Sequence, residues 1–356
     1  MTAGELAGFW GKARPDLLGE SKAHPLVAHS LDVAAVAVLL SQPRKPVVDP
    51  RMLGFLVSLH DLGKFSRPFQ AKAATHWPTS VLGNFGYDVP PGPGHDTVGA
   101  SVLSHSLAAR LSDILPPTAG DVRGWKQGDR LHLWRALAGH HGRPPRIEDS
   151  LPSSVFCPAC QTAAGEFIDT MRAIFQPPVW TRPPEQQVIR FSWQLAGLTT
   201  LADWVGSSRQ AWFPYVTEAD VADPARYFWG FALPRAAAAL ASAGLATASP
   251  AMFTGLRGLF PGVALLTPLQ QWAESIALPA GPVLAVIEDL TGSGKTEAAL
   301  TLAHRLLADR RAGGVYLALP TMATANAMFR RLAAAYVDCL YRTVIRPLRW
   351  HMAALR

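Results

Sequence analysis

The chain has 356 residues, 49% of them hydrophobic, with 33 Lys+Arg against 26 Asp+Glu and a formal net charge of +7. That length supports cores of ordinary size, and the three cysteines, Cys157, Cys160 and Cys339, are too few to form a disulfide framework. The modest basic excess suits a polyanionic partner without requiring one. Apolar runs such as VAAVAVLL (33–40) are far shorter than the ~20 residues a membrane span needs. With no leader pattern at the start, the expectation is a cytoplasmic protein with no membrane partner.

LVAHSLDVAAVAVLL (26–40) reads as an apolar helix carrying His29, broken by the prolines of QPRKPVVDP (42–50). RMLGFLVSLHD (51–61) is a second helix, with Gly63 just beyond its end. FGYDVPPGPGHD (85–96) is a loop, and TVGASVLSHSLAARL (97–111) is a helix. LHLWRALAGHHG (131–142) gives another helix, closed by Gly142. QVIRFSWQLAGLTTLADWVGSS (187–208) is long, apolar and helical, with Asp203 inside it.

The texture then changes. GPVLAVIEDLTGSGKTEAAL (281–300) joins a β-prone run, a Gly-rich turn and a helix. GGVYLALPT (313–321) reads as the next buried strand, followed by another helix. The predicted fold class is therefore mostly α. A helical domain over 1–235 precedes a partial α/β domain over 236–356 that looks cut short before its parallel sheet is complete.

The chemistry-bearing residues of the first part are His29, the His60-Asp61 pair, His95 in GHDTVGAS, the His140-His141 pair and Asp203. Imidazole and carboxylate together suit borderline divalent metals. Adjacent helical residues point about 100° apart, so each pair serves a metal site best at a helix end. A carboxylate such as Asp61 can bridge two ions ~3.5–4 Å apart, the arrangement that stabilises both oxygens of an in-line phosphodiester displacement. The bland alternatives stay open at this point. His29 can be a core histidine and His140-His141 an ordinary helix end, whereas Asp203 among apolar neighbours is costly to bury unpaired.

These residues resemble a family. His29, HDLGK (60–64), GHD (94–96), GHH (139–141) and LADW (201–204) are similar to the HD-superfamily nuclease domain of the CRISPR-associated helicase-nuclease of type I systems. The resemblance implies an all-helical HD domain and two divalent transition-metal ions (Mn, Fe, Co or Ni). His29, His60, Asp61 and Asp203 would hold one ion, and Asp61, His95, His140 and His141 the other. Asp61 and Lys64 would be catalytic, Lys64 drawing in a scissile phosphate. The implied activity is endonuclease/exonuclease cleavage of single-stranded DNA, with a type I guide-RNA surveillance complex as partner. The rivals are an HD phosphohydrolase of small nucleotides and a non-catalytic DNA-docking fragment.

The second part carries DLTGSGKTEAAL (289–300). There Thr291, Gly292, Ser293, Gly294, Lys295 and Thr296 form a phosphate-loop pattern, with backbone N–H groups turned toward an anion, Lys295 toward phosphates and Thr296 toward Mg. The strict signature wants Gly at Asp289. TPLQQWA (267–273) resembles a helicase adenine-reading segment, with Gln270 on the base edge, and ALPTMATANAMFRRL (318–332) the next helicase segment. ATP and Mg belong to the complete helicase, a RecA-like lobe of which this is the start. Without an acid box after residue 296, weak nucleotide binding and negligible turnover are expected here. The CPAC of 157–160 lacks the second ligand pair of a structural zinc site and reads as a structural loop; Trp180, Trp193 and Trp204 read as packing residues.

Overall fold

The computed structural model describes residues 2–14, 22–41, 48–86, 89–117, 124–209, 211–243, 245, 251–319 and 321–336. The chain forms two compact units, Met1–Leu240 and Ala241–Arg356. No helix among the described residues is long and apolar enough to cross a membrane.

The first unit is organised by α1, Leu26–Ser41, whose residues from Leu26 to Ala37 are all buried. A helix apolar all round belongs in an interior, and this one carries His29 and Asp32 into it. After the proline-rich break, α2 (Pro50–Ser58) starts with Pro50 at its first turn and the Asp49 side chain accepting the Arg51 N–H. Further along come α3 (His95–Ser104), α4 (Gln127–Ala138), α5 (Pro158–Phe175) and α6 (Glu185–Gly206). Helix α1 packs against α2 and α6, α4 against α3 and α6, and α2 against α5. The predicted 97–111 helix is interrupted: α3 starts at His95, stops at Ser104, and a 3-10 turn spans Ala108–Leu111.

A two-stranded antiparallel ribbon, β1 (Trp10–Arg14) and β2 (Lys22–Pro25), is the one sheet among the described residues. It lies on α1. The ladder is irregular between Trp10 and Lys12, which marks a bulge at Gly11.

In the second unit, α7 (Pro268–Ser275) and α8 (Lys295–Ala308) pack together, and α9 (Met322–Tyr336) follows. Ala273, Ala298 and Leu302 form one small core with Leu269, Ile276, Leu278 and Ile287, and Leu259 and Leu300 form another with Phe253, Phe260 and Leu332.

Helix α8 begins at Lys295 as the motif predicts, but neither expected buried strand is found among the described residues. Residues 281–290 and 313–319 have no strand assignment, and Leu284, Val286, Leu290 and Tyr316 are exposed. A parallel strand is held by hydrogen-bonded neighbours on its flanks, and among the described residues nothing pairs with either run. Trp193 also departs from expectation, since it faces solvent at 77% exposure and packs no core. Trp204 is exposed as well, while Trp180 stacks edge-on between Trp125 and Phe191. Cys339 and Pro320 lie outside the described residues.

Candidate metal centre

Three helix ends and two helix interiors deliver the seven predicted side chains to one place. His29 comes from α1 and Asp203 from α6. His60 and Asp61 lie in the turn after α2, before a 3-10 turn over Leu62–Phe65. His95 opens α3, and His140 and His141 form the 3-10 turn that ends α4. The helix-end placement lets neighbours in sequence point to different partners.

Close backbone approach makes the convergence possible. A Cβ on Gly63 would fall 1.8 Å from the His95 carbonyl oxygen and 2.5 Å from the Gly99 nitrogen. Only glycine lets the Leu62–Phe65 turn press directly on the first turn of α3, which brings Asp61 and His95 together. The HDLGK motif is thus a packing motif as well as a chemical one.

Asp61 sits at the centre, with each oxygen facing a different group. Its Oδ2 lies 2.9 Å from His29 Nε2 and 3.2 Å from His60 Nε2. Its Oδ1 lies 3.3 Å from His95 Nε2 and 3.7 Å from His140 Nε2. Asp203 Oδ1 completes the first side, 3.4 Å from His29 Nε2 and 3.8 Å from His60 Nε2. His141 Nε2 completes the second, 3.1 Å from His95 Nε2. Two four-residue sets result, His29/His60/Asp61/Asp203 and Asp61/His95/His140/His141, each with its ligand atoms within 4.8 Å of one another.

The donor atoms fit divalent ions. His60 Nδ1 is 2.9 Å from the Val57 carbonyl and His140 Nδ1 is 2.8 Å from the Leu137 carbonyl. A ring that donates Nδ1–H to a carbonyl keeps its lone pair on Nε2, the usual arrangement behind a metal-ligating histidine. Those Nε2 atoms and Asp61 Oδ1 are buried without hydrogen-bond partners. Orphaned acceptors converging on one spot are what a cation would satisfy. His29, His60, His140, Asp61 and Asp203 are buried, His95 is half-buried and His141 is exposed, so the cluster has a floor and opens on the His95–His141 side.

Electrostatics keep the carboxylates charged. Burial works against ionisation of Asp61, but Lys64 and His60 hold it well below the usual carboxylate range. Burial opposes Asp203 in the same way, and Lys12 and His29 hold it down. Burial pushes His29 and His140 down to about 3. His60 is driven the other way: although burial opposes its charge, Asp61 and Asp203 raise it to about 9, so an ion binding there displaces the proton that its Nε2 carries in the metal-free protein.

A second layer braces the first. Asp32, one turn beyond His29 on α1, accepts from Tyr227 Oη at 2.9 Å and Arg209 Nη1 at 3.0 Å, with His24 Nε2 at 3.1 Å. Arg209 also bonds the Gly206 carbonyl at the end of α6. The guanidinium therefore ties α1 to α6, the two helices that present His29 and Asp203.

Lys64 departs from expectation. Its side chain is 4% exposed, and its ammonium lies 2.5 Å from Asp61 Oδ2 and donates to the Gly11 carbonyl at 3.0 Å. It braces Asp61 from beneath and does not face the opening. Sequence reasoning misses Lys12, whose Nζ lies 3.7 Å from Asp203 Oδ1 with its side chain 29% exposed. A basic residue next to a glycine in a short strand is the only signal for it.

The nucleotide-binding candidates lie in the second unit. Gly292 and Gly294 have φ of 89° and 84°, conformations that favour glycine. Lys295 Nζ donates to the Asp289 and Leu290 carbonyls at 2.7 and 2.6 Å. Gln270 is buried and serves in a capping box with Thr267 at the start of α7, while Thr267 Oγ1 donates to the Ser293 carbonyl. Thr291 is exposed and Thr296 half-buried. In the first unit, Cys157 caps α5, its Sγ accepting the Cys160 N–H, and no third His, Cys, Asp or Glu joins the pair in a metal-sized group among the described residues.

Comparison with known proteins decides the family. The family described as "Cas3, HD domain" matches residues 10–213, a span that contains all seven cluster residues. The chain belongs to the Cas3 HD domain family. It is 30% identical over 365 residues to the CRISPR-associated endonuclease/helicase Cas3 of Escherichia coli (strain K12), covering 92% of this chain and 40% of that protein. A solved structure titled "Crystal structure of CRISPR-associated protein" superposes with a TM-score of 0.64 at 29% identity, covering 95% of this chain and 38% of that one. Another, titled "CRISPR RNA-guided surveillance complex, pre-nicking", matches at 25% identity and a TM-score of 0.51, covering 92% of this chain and 38% of that chain. This Cas3-family chain thus spans between a third and two fifths of the length of the curated relatives it matches.

Proposed function

We propose that the chain is a metal-dependent nuclease that hydrolyses phosphodiester bonds of single-stranded DNA in CRISPR interference. The observation that carries this reading is Asp61, whose two oxygens face two separate sets of imidazole and carboxylate ligands. His29, His60, Asp61 and Asp203 would hold one divalent ion, and Asp61, His95, His140 and His141 the other. Mn, Fe, Co and Ni suit such a donor set. When bound, the pair supplies charge that stabilises the entering and leaving oxygens of an in-line displacement.

The chain's own residues prepare the site for that work. The Val57 and Leu137 carbonyls fix the tautomers of His60 and His140, Lys64 holds Asp61 ionised and oriented, and Arg209 with Asp32 sets the spacing of α1 and α6. The buried floor keeps solvent from the shared carboxylate, and a strand enters where the cluster reaches the surface, at His141 and the half-buried His95 and Lys12. The fused helicase segment and a guide-RNA surveillance complex as partner are part of this proposal. They are supported by the family and by the titles of its relatives. For ATP, the 236–356 segment is proposed to bind nucleotide weakly at best.

The test uses a circular single-stranded DNA, which reports internal cuts. Cleavage should stop on chelation, return with Mn, Co or Ni, and be absent in Asp61→Ala. Cutting that survives chelation contradicts the proposal. Turnover of small nucleotides in preference to DNA favours the phosphohydrolase rival, and DNA binding with no metal-dependent cutting favours the docking rival.

A further inference from the structure

Two lysines approach the cluster, and their burial separates their tasks. Lys64 is sealed beneath Asp61 with its ammonium engaged by a carboxylate and a carbonyl, so a phosphate could reach it only by dismantling both contacts. Lys12 reaches Asp203 from β1 while keeping 29% of its side chain in solvent. Its ammonium is a partly exposed cation beside Asp203 that an incoming polyanion can meet.

The strand is built to aim it. A Cβ on Gly11 would lie 3.0 Å from Leu26 Cα and 3.1 Å from His29 Cβ, so β1 presses closely onto α1 beside His29 and a side chain there would push the two apart by a few tenths of an ångström. The ladder slips between Trp10 and Lys12, and a bulge redirects the following side chain, a device often found next to active sites. The Gly11 carbonyl meanwhile anchors Lys64. One Gly-Lys step therefore fixes the buried lysine and presents the exposed one. Trp10 locks the strand's position, its Nε1–H donating to the Gln70 carbonyl at 3.2 Å while the Gln70 side chain bonds the Trp10 and Lys64 carbonyls.

We propose that Lys12 is a phosphate-binding position of the site, holding the backbone of a single DNA strand against the Asp203 side of the cluster. The inference deepens the nuclease reading and rests on it for the substrate. A lysine recognises phosphate as a point charge, so the contact is independent of base sequence.

The experiment uses the full chain and a fluorescein-labelled single-stranded oligonucleotide, in two base sequences. Binding is followed by anisotropy with chelator present, and cleavage is followed with Mn restored. Lys12→Met retains the aliphatic stem and controls for strand packing; Lys12→Arg retains the charge. We expect Lys12→Met to weaken binding about tenfold for both sequences and to lower the slope of log affinity against log salt by about 0.7, the value for one lost phosphate contact on a single strand. With Mn, KM should rise more than kcat falls, and Lys12→Arg should restore binding. Lys12→Met with unchanged melting, affinity and salt slope overturns the proposal, even if the parent cuts DNA normally. Lys12-dependent binding in a protein that never cuts would sustain the phosphate site while removing the nuclease reading.

Discussion

Gly63→Ala is the sharpest probe of how this fold makes its site. Gly63 is not among the glycines with positive φ, so alanine carries no backbone penalty there. Taken alone, the change would stabilise by about 0.4–1 kcal/mol through the unfolded state. The cost is purely steric. The new Cβ would lie 1.8 Å from the His95 carbonyl oxygen, and contacts under 3.0 Å are essentially never seen, so the turn and α3 must separate by about 1.2 Å. Neither clashing atom belongs to a side chain that could rotate away. Overpacking of this kind costs about 1–3 kcal/mol, which outweighs the entropic gain. The same displacement moves His95 relative to Asp61, and a misplacement of about 1 Å at a reacting centre costs on the order of a hundredfold in rate. The variant should still fold, melt several degrees lower, bind less than the parent's complement of metal, and cleave single-stranded DNA about a hundredfold more slowly. Melting and cleavage equal to the parent's would refute the claim that this contact sets the site.

Arg209→Ala leaves Asp32 buried without its guanidinium and should destabilise the protein by about 3–5 kcal/mol, read in a urea melt. Arg146→Ala, which removes an exposed pair with Glu148, should cost no more than about 1 kcal/mol. Stability of the metal-free protein should fall on acidification below about pH 6.5. Burial lowers His24, His29 and His140 in the folded state, so the unfolded chain binds protons that the folded chain resists, and His24 carries part of that loss. Asp32, depressed by His24 and Arg209 against the opposing effect of burial, adds a loss of the same sign at lower pH. Melting temperatures across pH 5–8, with His24→Asn flattening the slope, check this; a slope unchanged by that substitution contradicts it. Lys295→Ala should leave cleavage of single-stranded DNA untouched, and this chain should show negligible ATP turnover. DNA-stimulated hydrolysis abolished by Lys295→Ala would oppose that expectation.

The helical half of the fold is legible in the sequence because its signals are local. Prolines break the chain at 42–50, and apolar runs mark the helices α1, α2 and α6. The paired motifs His60-Asp61 and His140-His141 are readable as helix-end residues because neighbours about 100° apart can share a site only where the helix stops. Other features depend on packing between distant segments. Lys12 gains meaning only when β1 lies on α1, and its neighbouring glycine is too weak a local signal to distinguish it from a solvated lysine. Lys64 belongs to a motif that suggests a phosphate contact, yet the close fit of Gly11 and Asp61 buries it. The runs at 281–290 and 313–319 have the composition of strands, but a strand is defined by its neighbours as much as by its own residues. Trp193 shows the same limit, since the residues of α6 specify a helix without specifying which face it turns to solvent.

The proposed two-ion centre draws seven residues from five segments around the Asp61 carboxylate. Crystals grown with Mn and measured at its absorption edge test it most directly. Two anomalous peaks about 3.5–4 Å apart are expected on either side of the Asp61 carboxylate, with ligand distances near 2.0–2.3 Å, and loss of both in Asp61→Ala. A single peak away from Asp61, or no peak within the cluster, would contradict it.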